Sequence, residues 1–193
     1  MRMTVLGKSP AWQDAGGACS GYLVEGGGTR VLLDCGPGVF GKLRRYVDYV
    51  DVDAVVISHL HADHIFDLVP FASGLRYAPR QQPVPVDRWP GTDEPARPRL
   101  LAPTGARDAL RALCAGGAMS AEHVERAFAL SEYTTADLPS IGGLRLRFAA
   151  VPHYVPTNAV EVVHDGARLT FSADCAPSDA LCAFAADTDL LLI

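Results

Sequence analysis

The amino-acid sequence predicts an α/β fold in a single domain of 193 residues. Short apolar strands alternate with helical segments along the first half, which is typical of mixed α/β proteins. Hydrophobic residues make up 49% of the chain, enough for a sizeable core, while 18 glycines and 14 prolines indicate many loops. The length favours one domain over two.

Charge and cysteine content restrict the class of protein. The formal net charge of −5 argues against nucleic-acid binding through a broad positively charged surface. Five widely spaced cysteines without a CxxC pair favour a reduced, cytoplasmic protein. No apolar run reaches the length of a membrane span or a signal peptide, so no membrane partner is expected.

The first half is expected to hold three strands, a buried strand and two helices. In chain order these are a strand at 3–6, a hairpin of strands at 21–25 and 30–34, a helix at 39–47, a strand at 54–58 and a helix at 63–77. The triplet Gly26-Gly27-Gly28 supplies the hairpin turn. The continuous apolar run at 54–58 is typical of a strand buried on both faces, and Pro70 is expected to bend or restart the last helix.

The segment 78–98 differs from its surroundings. It is rich in proline, carries several arginines and has few large apolar residues. Because it can bury little surface, it is predicted to be a flexible surface loop. It could serve as a short arm for RNA, although a lid or a simple insertion is the simpler interpretation.

The second half predicts a further set of strands and helices. In order they are a strand at 99–101, a helix from a Thr104 cap to 114, a helix at 120–127, strands at 144–151, 159–163 and 168–172, a helix at 178–186 and a strand at 189–193. The last strand carries a buried-strand pattern with no turn or tail after it. We therefore expect that the C-terminal part of the fold is missing from these 193 residues.

Histidines and an aspartate cluster directly after the buried strand. Residues 59–64 read His-Leu-His-Ala-Asp-His. In an extended segment residues two apart point the same way, so His59 and His61 can grip one cation together. Asp63 and His64 then turn towards a neighbouring position, which predicts two adjacent metal sites. Imidazole and carboxylate ligands suit zinc, manganese or iron(II) better than magnesium or calcium.

Together with three further segments, this motif resembles the metallo-β-lactamase superfamily. The other segments are TRVLLDCG at 29–36, the single histidine His153 near a strand end, and Asp174 in LTFSADCAPSD. The segments GGACSGYLV at 16–24, LLDCGPGVFGKL at 32–43 and SADCAPSDAL at 172–181 resemble its ribonuclease Z-like and phosphodiesterase branch. The resemblance implies a four-layer αβ/βα sandwich. The family's last histidine, near the C-terminus, has no counterpart within these residues. His123 and His164 are expected to be surface residues rather than substitutes for it.

The resemblance also implies the ligand set and two divalent metal ions, zinc in the first place with manganese or iron as alternatives. His59, His61 and His153 would hold the first ion, Asp63 and His64 the second, and Asp174 would bridge both. Asp34 is a candidate for orienting a ligating imidazole. Ser20 is a candidate for orienting a metal ligand or a substrate, and Tyr154 is a candidate for lining the pocket.

The expected activity is that of a metal-dependent phosphodiesterase. A hydroxide shared by the two metals would attack the phosphodiester of a nucleotide or of RNA, and Asp63 would orient it as the catalytic carboxylate. A small phosphodiester is favoured over folded RNA by the negative net charge, and a homodimer is expected. A lactonase or thioesterase on the same fold, or a metal-deficient non-catalytic member, are the alternatives.

Overall fold

The computed structural model describes residues 1–78 and 95–193, so most of the predicted flexible loop at 78–98 lies outside the described residues. Two sheets are formed. The strands of the first sheet are β1 (Arg2–Gly7), β2 (Gly21–Gly26), β3 (Thr29–Leu33), β4 (Ala54–Val56), β5 (Arg99–Pro103) and β6 (Ala129–Tyr133). The strands of the second sheet are β7 (Ser140–Ile141), β8 (Leu144–Val151), β9 (Thr157–His164), β10 (Ala167–Phe171) and β11 (Leu190–Leu192).

Helices cover the outer faces of both sheets. They are α1 (Val39–Leu43), α2 (Ala62–Ile65), α3 (Leu68–Tyr77), α4 (Ala106–Gly116), α5 (His123–Ala127) and α6 (Asp179–Phe184), with a 3-10 turn at Tyr49–Asp51. The first five lie in the half of the chain that builds the first sheet, and α6 packs against β8 of the second. Among the described residues, none of these helices has the length and apolar character needed to span a bilayer.

Strand order follows chain order in the first sheet. The strands run β1-β2-β3-β4-β5-β6; the first three are antiparallel, and β3 to β6 are parallel. The second sheet runs β11-β10-β9-β8-β7 and is antiparallel except for the parallel pair β10–β11. The parallel strands all end at one edge, and the loops that follow them are brought together there.

The core lies in two layers, one between the sheets and one beneath the helices. Along β3 and β4, Leu33 and Val56 face the second sheet, while Leu32 and Val55 pack against the helices. This alternation is the period-two geometry of a strand, and it buries β4 on both faces as predicted. The helix–sheet–sheet–helix order confirms the predicted four-layer sandwich of the metallo-β-lactamase type.

Several local predictions differ from the structure. The helix expected at 63–77 is two helices, α2 and α3, so of the two alternatives for Pro70 the helix restarts rather than bends; Pro70 lies in the first turn of α3, where a missing N–H costs nothing. The last strand, β11, is not buried as its sequence pattern predicts, since Leu190 and Leu191 are 45% and 39% exposed. The predicted cap at Thr104 is wrong: α4 begins after Gly105, which has a positive φ of 89° and makes no side-chain cap. The strand β6 was not predicted, because its sequence ALSEY mixes apolar and polar residues.

Candidate metal centre

The His59–His64 motif follows β4 and changes conformation in its middle. His61 has extended backbone angles (φ −68°, ψ 150°) and is the residue before α2 begins at Ala62. The first two histidines of the motif therefore stand on an extended segment, and Asp63 and His64 stand on the first turn of a helix. This is the change of direction that the spacing predicts.

The first group of donors joins His59, His61, His153 and Asp174, whose ligand atoms all lie within 4.8 Å of one another. The Nε2 atom of His59 and the Nε2 atom of His153 each lie 3.1 Å from Nδ1 of His61. Oδ2 of Asp174 lies 3.7 Å from Nε2 of His153. Three imidazoles and one carboxylate oxygen thus converge from three separate loops.

The second group joins Asp63, His64 and Asp174. Nε2 of His64 lies 3.5 Å from Oδ2 of Asp63 and 3.4 Å from Oδ1 of Asp174. Asp174 therefore turns one carboxylate oxygen towards each group. Its side chain is 45% exposed, whereas His64 is buried, so the two groups lie side by side at the surface end of a buried cluster.

The spacing and chemistry of these donors fit divalent metal ions. Two ligand atoms bound at about 2.0–2.1 Å to a tetrahedral zinc ion lie about 3.3 Å apart. The donor–donor distances of 3.1 to 3.7 Å bracket that value. Imidazole and carboxylate donors suit zinc, manganese and iron(II) alike, so the donor set does not define the metal.

The Asp34 carboxylate anchors two of the imidazoles from behind. It is fully buried just after β3, and its Oδ2 accepts a 2.6 Å hydrogen bond from Nδ1 of His64. Asp34 also accepts hydrogen bonds from the backbone N–H and the hydroxyl of Ser58, both at 2.8 Å. The Ser58 oxygen lies 3.0 Å from Nδ1 of His59 and can accept its proton. Both imidazoles are thereby held with Nε2 facing the donor cluster.

The electrostatic environment favours different protonation states for the two anchored histidines: His59 is neutral and His64 is protonated. Burial, followed by the nearby His64, lowers the pKa of His59 to about 4. Burial also works to lower the pKa of His64, but the Asp34 and Asp174 carboxylates outweigh it and raise that pKa to about 10. His59 is therefore already a neutral ligand at neutral pH, while a cation must displace a proton from His64.

A close backbone contact fixes the turn after β3 against the start of α2. The N–H of Cys35 donates to the carbonyl oxygen of His64 at 2.8 Å. A Cβ atom on Gly36 would lie 1.8 Å from the carbonyl oxygen of Asp63, which no side chain can tolerate. Asp34 itself has a positive φ of 56°, and this left-handed conformation aims its carboxylate back under the motif.

Ser20 and Tyr154, the two remaining candidate residues, lie on different sides of the donor groups. Ser20 is buried, and its hydroxyl lies 3.4 Å from Oδ2 of Asp34, so it lies behind the donors, next to the carboxylate that holds His64. Tyr154 is 95% exposed and lines an open cleft of about 550 Å³ beside His153 and Asp174. The sequence analysis gives Ser58 no role. Its position between a strand and the motif nevertheless indicates that its side chain lies close to the metal-binding histidines.

The surface position predicted for His123 is wrong, and His164 is partly buried at the surface. His123 is 7% exposed, with Nε2 lying 3.1 Å from the Ser73 hydroxyl and 3.2 Å from the Val69 carbonyl oxygen, between α3 and α5. The side chain of His164 is 13% exposed and rests on the β2–β3 turn, with Nδ1 3.1 Å from the carbonyl oxygen of Gly143. Neither belongs to either donor group.

Residues 14–178 match the model of the Metallo-beta-lactamase superfamily, and the chain belongs to this superfamily. The fold and the site together define the class as a metallo-β-lactamase superfamily hydrolase. Among curated proteins, it is 46% identical over 70 residues to the probable metallo-hydrolase YhfI of Bacillus subtilis, covering 36% of this chain and 29% of YhfI. It is 29% identical to Ribonuclease Z of Mycobacterium bovis over 198 residues, covering 100% of this chain and 69% of that protein.

Solved structures show the same fold at low sequence identity. The crystal structure of YhfI superposes with a TM-score of 0.80 at 23% identity, covering 98% of this chain and 69% of YhfI. Human tRNase Z, short form, superposes with a TM-score of 0.70 at 18% identity, covering 98% of this chain and 76% of that one. A diphosphatase of the PhnP family gives 0.66 at 18% identity, covering 98% and 71%.

Proposed function

We propose that the protein is a metal-dependent phosphodiesterase that cleaves the phosphodiester of a nucleotide or of RNA. The observation that carries the proposal is the pair of donor groups that share Asp174, because two adjacent cations suit an in-line displacement at phosphorus. The names of similar proteins, Ribonuclease Z, tRNase Z and PhnP-family diphosphatase, describe reactions at phosphorus and support this choice.

In this proposal each donor group holds one divalent ion, zinc in the first place. The residues are His59, His61, His153 and Asp174 for the first ion, and Asp63, His64 and Asp174 for the second. Two such ions supply positive charge that lowers the pKa of a water molecule and polarises a phosphoryl oxygen. The buried carboxylate of Asp34 keeps the imidazoles of His59 and His64 oriented, directly or through Ser58.

Asp63 is proposed as the catalytic carboxylate. Its side chain is 15% exposed, and Oδ2 is the oxygen that faces His64. A carboxylate has a second oxygen, which can accept a hydrogen bond from the attacking water and hold one of its protons. The homodimer and the cytoplasmic location stay predictions from the sequence.

Metal content and substrate range test this proposal. The purified protein is analysed for bound metal and assayed with bis(p-nitrophenyl) phosphate, a lactone panel and a thioester panel. We expect bound metal, turnover of the phosphodiester, and a loss of at least about 100-fold in rate for Asp63→Asn. Asp165→Asn is the matched control, because that side chain is 89% exposed in the β9–β10 turn.

Each alternative predicts a different result. Turnover of lactones or thioesters without turnover of the phosphodiester would replace the proposal with the lactonase or thioesterase alternative. If the protein binds no metal under any loading condition, the alternative of a metal-deficient, non-catalytic member would be supported instead.

A further inference from the structure

The cleft beside the metal centre is built from two loops, one between β8 and β9 and one between β10 and α6. Its described lining consists of Pro152, His153, Tyr154, Asp174, Cys175 and Ala176. The N–H of Ala176 donates to the carbonyl oxygen of Pro152 at 2.9 Å and ties the two loops together. Its volume of about 550 Å³ is within the range of small-molecule sites.

The lining has little charge of its own. Apart from His153 and Asp174, which belong to the donor groups, the described lining residues carry no charged side chain. In particular, this lining includes no lysine or arginine that could pair with a further phosphate group. The cleft therefore favours an uncharged portion of a ligand over a second phosphate group.

Tyr154 gives the cleft a flat apolar surface. Its side chain is 95% exposed, although an aromatic ring gains free energy by leaving water. The ring centre lies 5.2 Å from that of His153, with 62° between the planes, so the tyrosine stands directly beside a metal donor. A second flat ring stacked on it would lie next to the donor groups, because His153 and Asp174 line the same cleft.

We infer that Tyr154 is a stacking platform for the base, or another flat aromatic group, of the substrate. This rests on the proposed function for the reaction itself and restricts the substrate class to phosphodiesters that carry a base or another flat aromatic group. Tyr154 is thus a specificity-determining residue rather than a catalytic one, since it touches the substrate away from phosphorus.

Product-like ligands test the inference without turnover. Isothermal titration calorimetry measures the affinities of the protein, as purified with its bound metal, for adenosine 5′-monophosphate and for ribose 5-phosphate. The second ligand has the same phosphate but no base. We expect the nucleotide to bind about 5- to 100-fold more tightly, the range given by one base stacked on an aromatic side chain. Tyr154→Ala removes this preference and leaves the affinity for ribose 5-phosphate within about twofold, and Tyr154→Phe retains it.

Tyr46→Ala is the matched control, because Tyr46 is 59% exposed and is not among the described residues that line the cleft. Equal affinity of the wild type for both ligands, including no binding of either, overturns the inference, as does a preference that survives in Tyr154→Ala. Failure of the proposed function gives a different result: no turnover of bis(p-nitrophenyl) phosphate by the wild type, with the preference for the nucleotide intact.

Discussion

The buried Asp34 carboxylate offers a sharp test of how the metal centre is held, through the substitution Asp34→Asn. Asparagine has the same shape and tolerates the positive φ of 56°, so the backbone can keep its conformation. The remaining amide oxygen can still accept from the N–H of Ser58. What is lost is the acceptor for His64, because an amide nitrogen in place of Oδ2 would face the Nδ1 proton of that ring.

The size of the effect follows from these contacts. Loss of the carboxylate partner of a ligating histidine lowers metal affinity about 10- to 100-fold, or about 1.4 to 2.7 kcal/mol. The Ser58 hydroxyl also donates to Oδ2, so two buried donors lose their acceptor, and each costs about 1 to 3 kcal/mol of folding free energy if it stays unpaired. The protein should therefore still fold but bind its metal more weakly.

Zinc affinity is measured by competition with a chromophoric chelator, and folding by circular dichroism. Asp165→Asn provides the control, because Asp165 also has a positive φ, of 49°, but is 89% exposed. If Asp34→Asn is folded and binds zinc within about twofold of the wild type, the carboxylate does not support the ligands and our reasoning is refuted.

Three further perturbations follow from the same geometry. His61→Ala should reduce both the metal bound per chain and the hydrolysis rate to near background, whereas His164→Ala should leave both nearly unchanged. Metal analysis and phosphodiester turnover measure the two effects. Equal effects of the two substitutions would contradict the donor assignment. In chelator-treated protein, the raised pKa of His64 stabilises the fold fully below pH 6.5, and this contribution is lost as the pH rises to about 10. The free energy of unfolding, measured in urea, should therefore fall between pH 6.5 and about 10. An increase over this range would contradict the role of His64. Gly36→Ala should destabilise the fold by about 1 to 3 kcal/mol or more, because its Cβ meets the Asp63 carbonyl oxygen; an unchanged melting temperature would show that the turn can move.

Much of the fold and part of the site could be predicted from the sequence, because those features are local. Apolar runs and glycine turns predict the β2–β3 hairpin, the doubly buried β4 and the three long strands of the second sheet. The His59–His64 motif is equally local, since backbone direction alone decides which of its side chains point together. His153 and Asp174 are assigned by resemblance, because nothing in their own spacing joins them to a motif that ends at His64, far before them in the chain.

Tertiary packing decided the rest. The position of His123 shows why: its burial depends on α3 packing against α5, which no pattern within α5 itself reveals. β6 forms a strand because it pairs in parallel with β5, although its own sequence mixes apolar and polar residues. Ser58 acquired a role because the turn after β3 brings the Asp34 carboxylate beneath it. The sequence by itself determined which side chains could bind metal, and the packing of the two sheets determined which of them meet, because contacts between distant segments exist only after both sheets have formed.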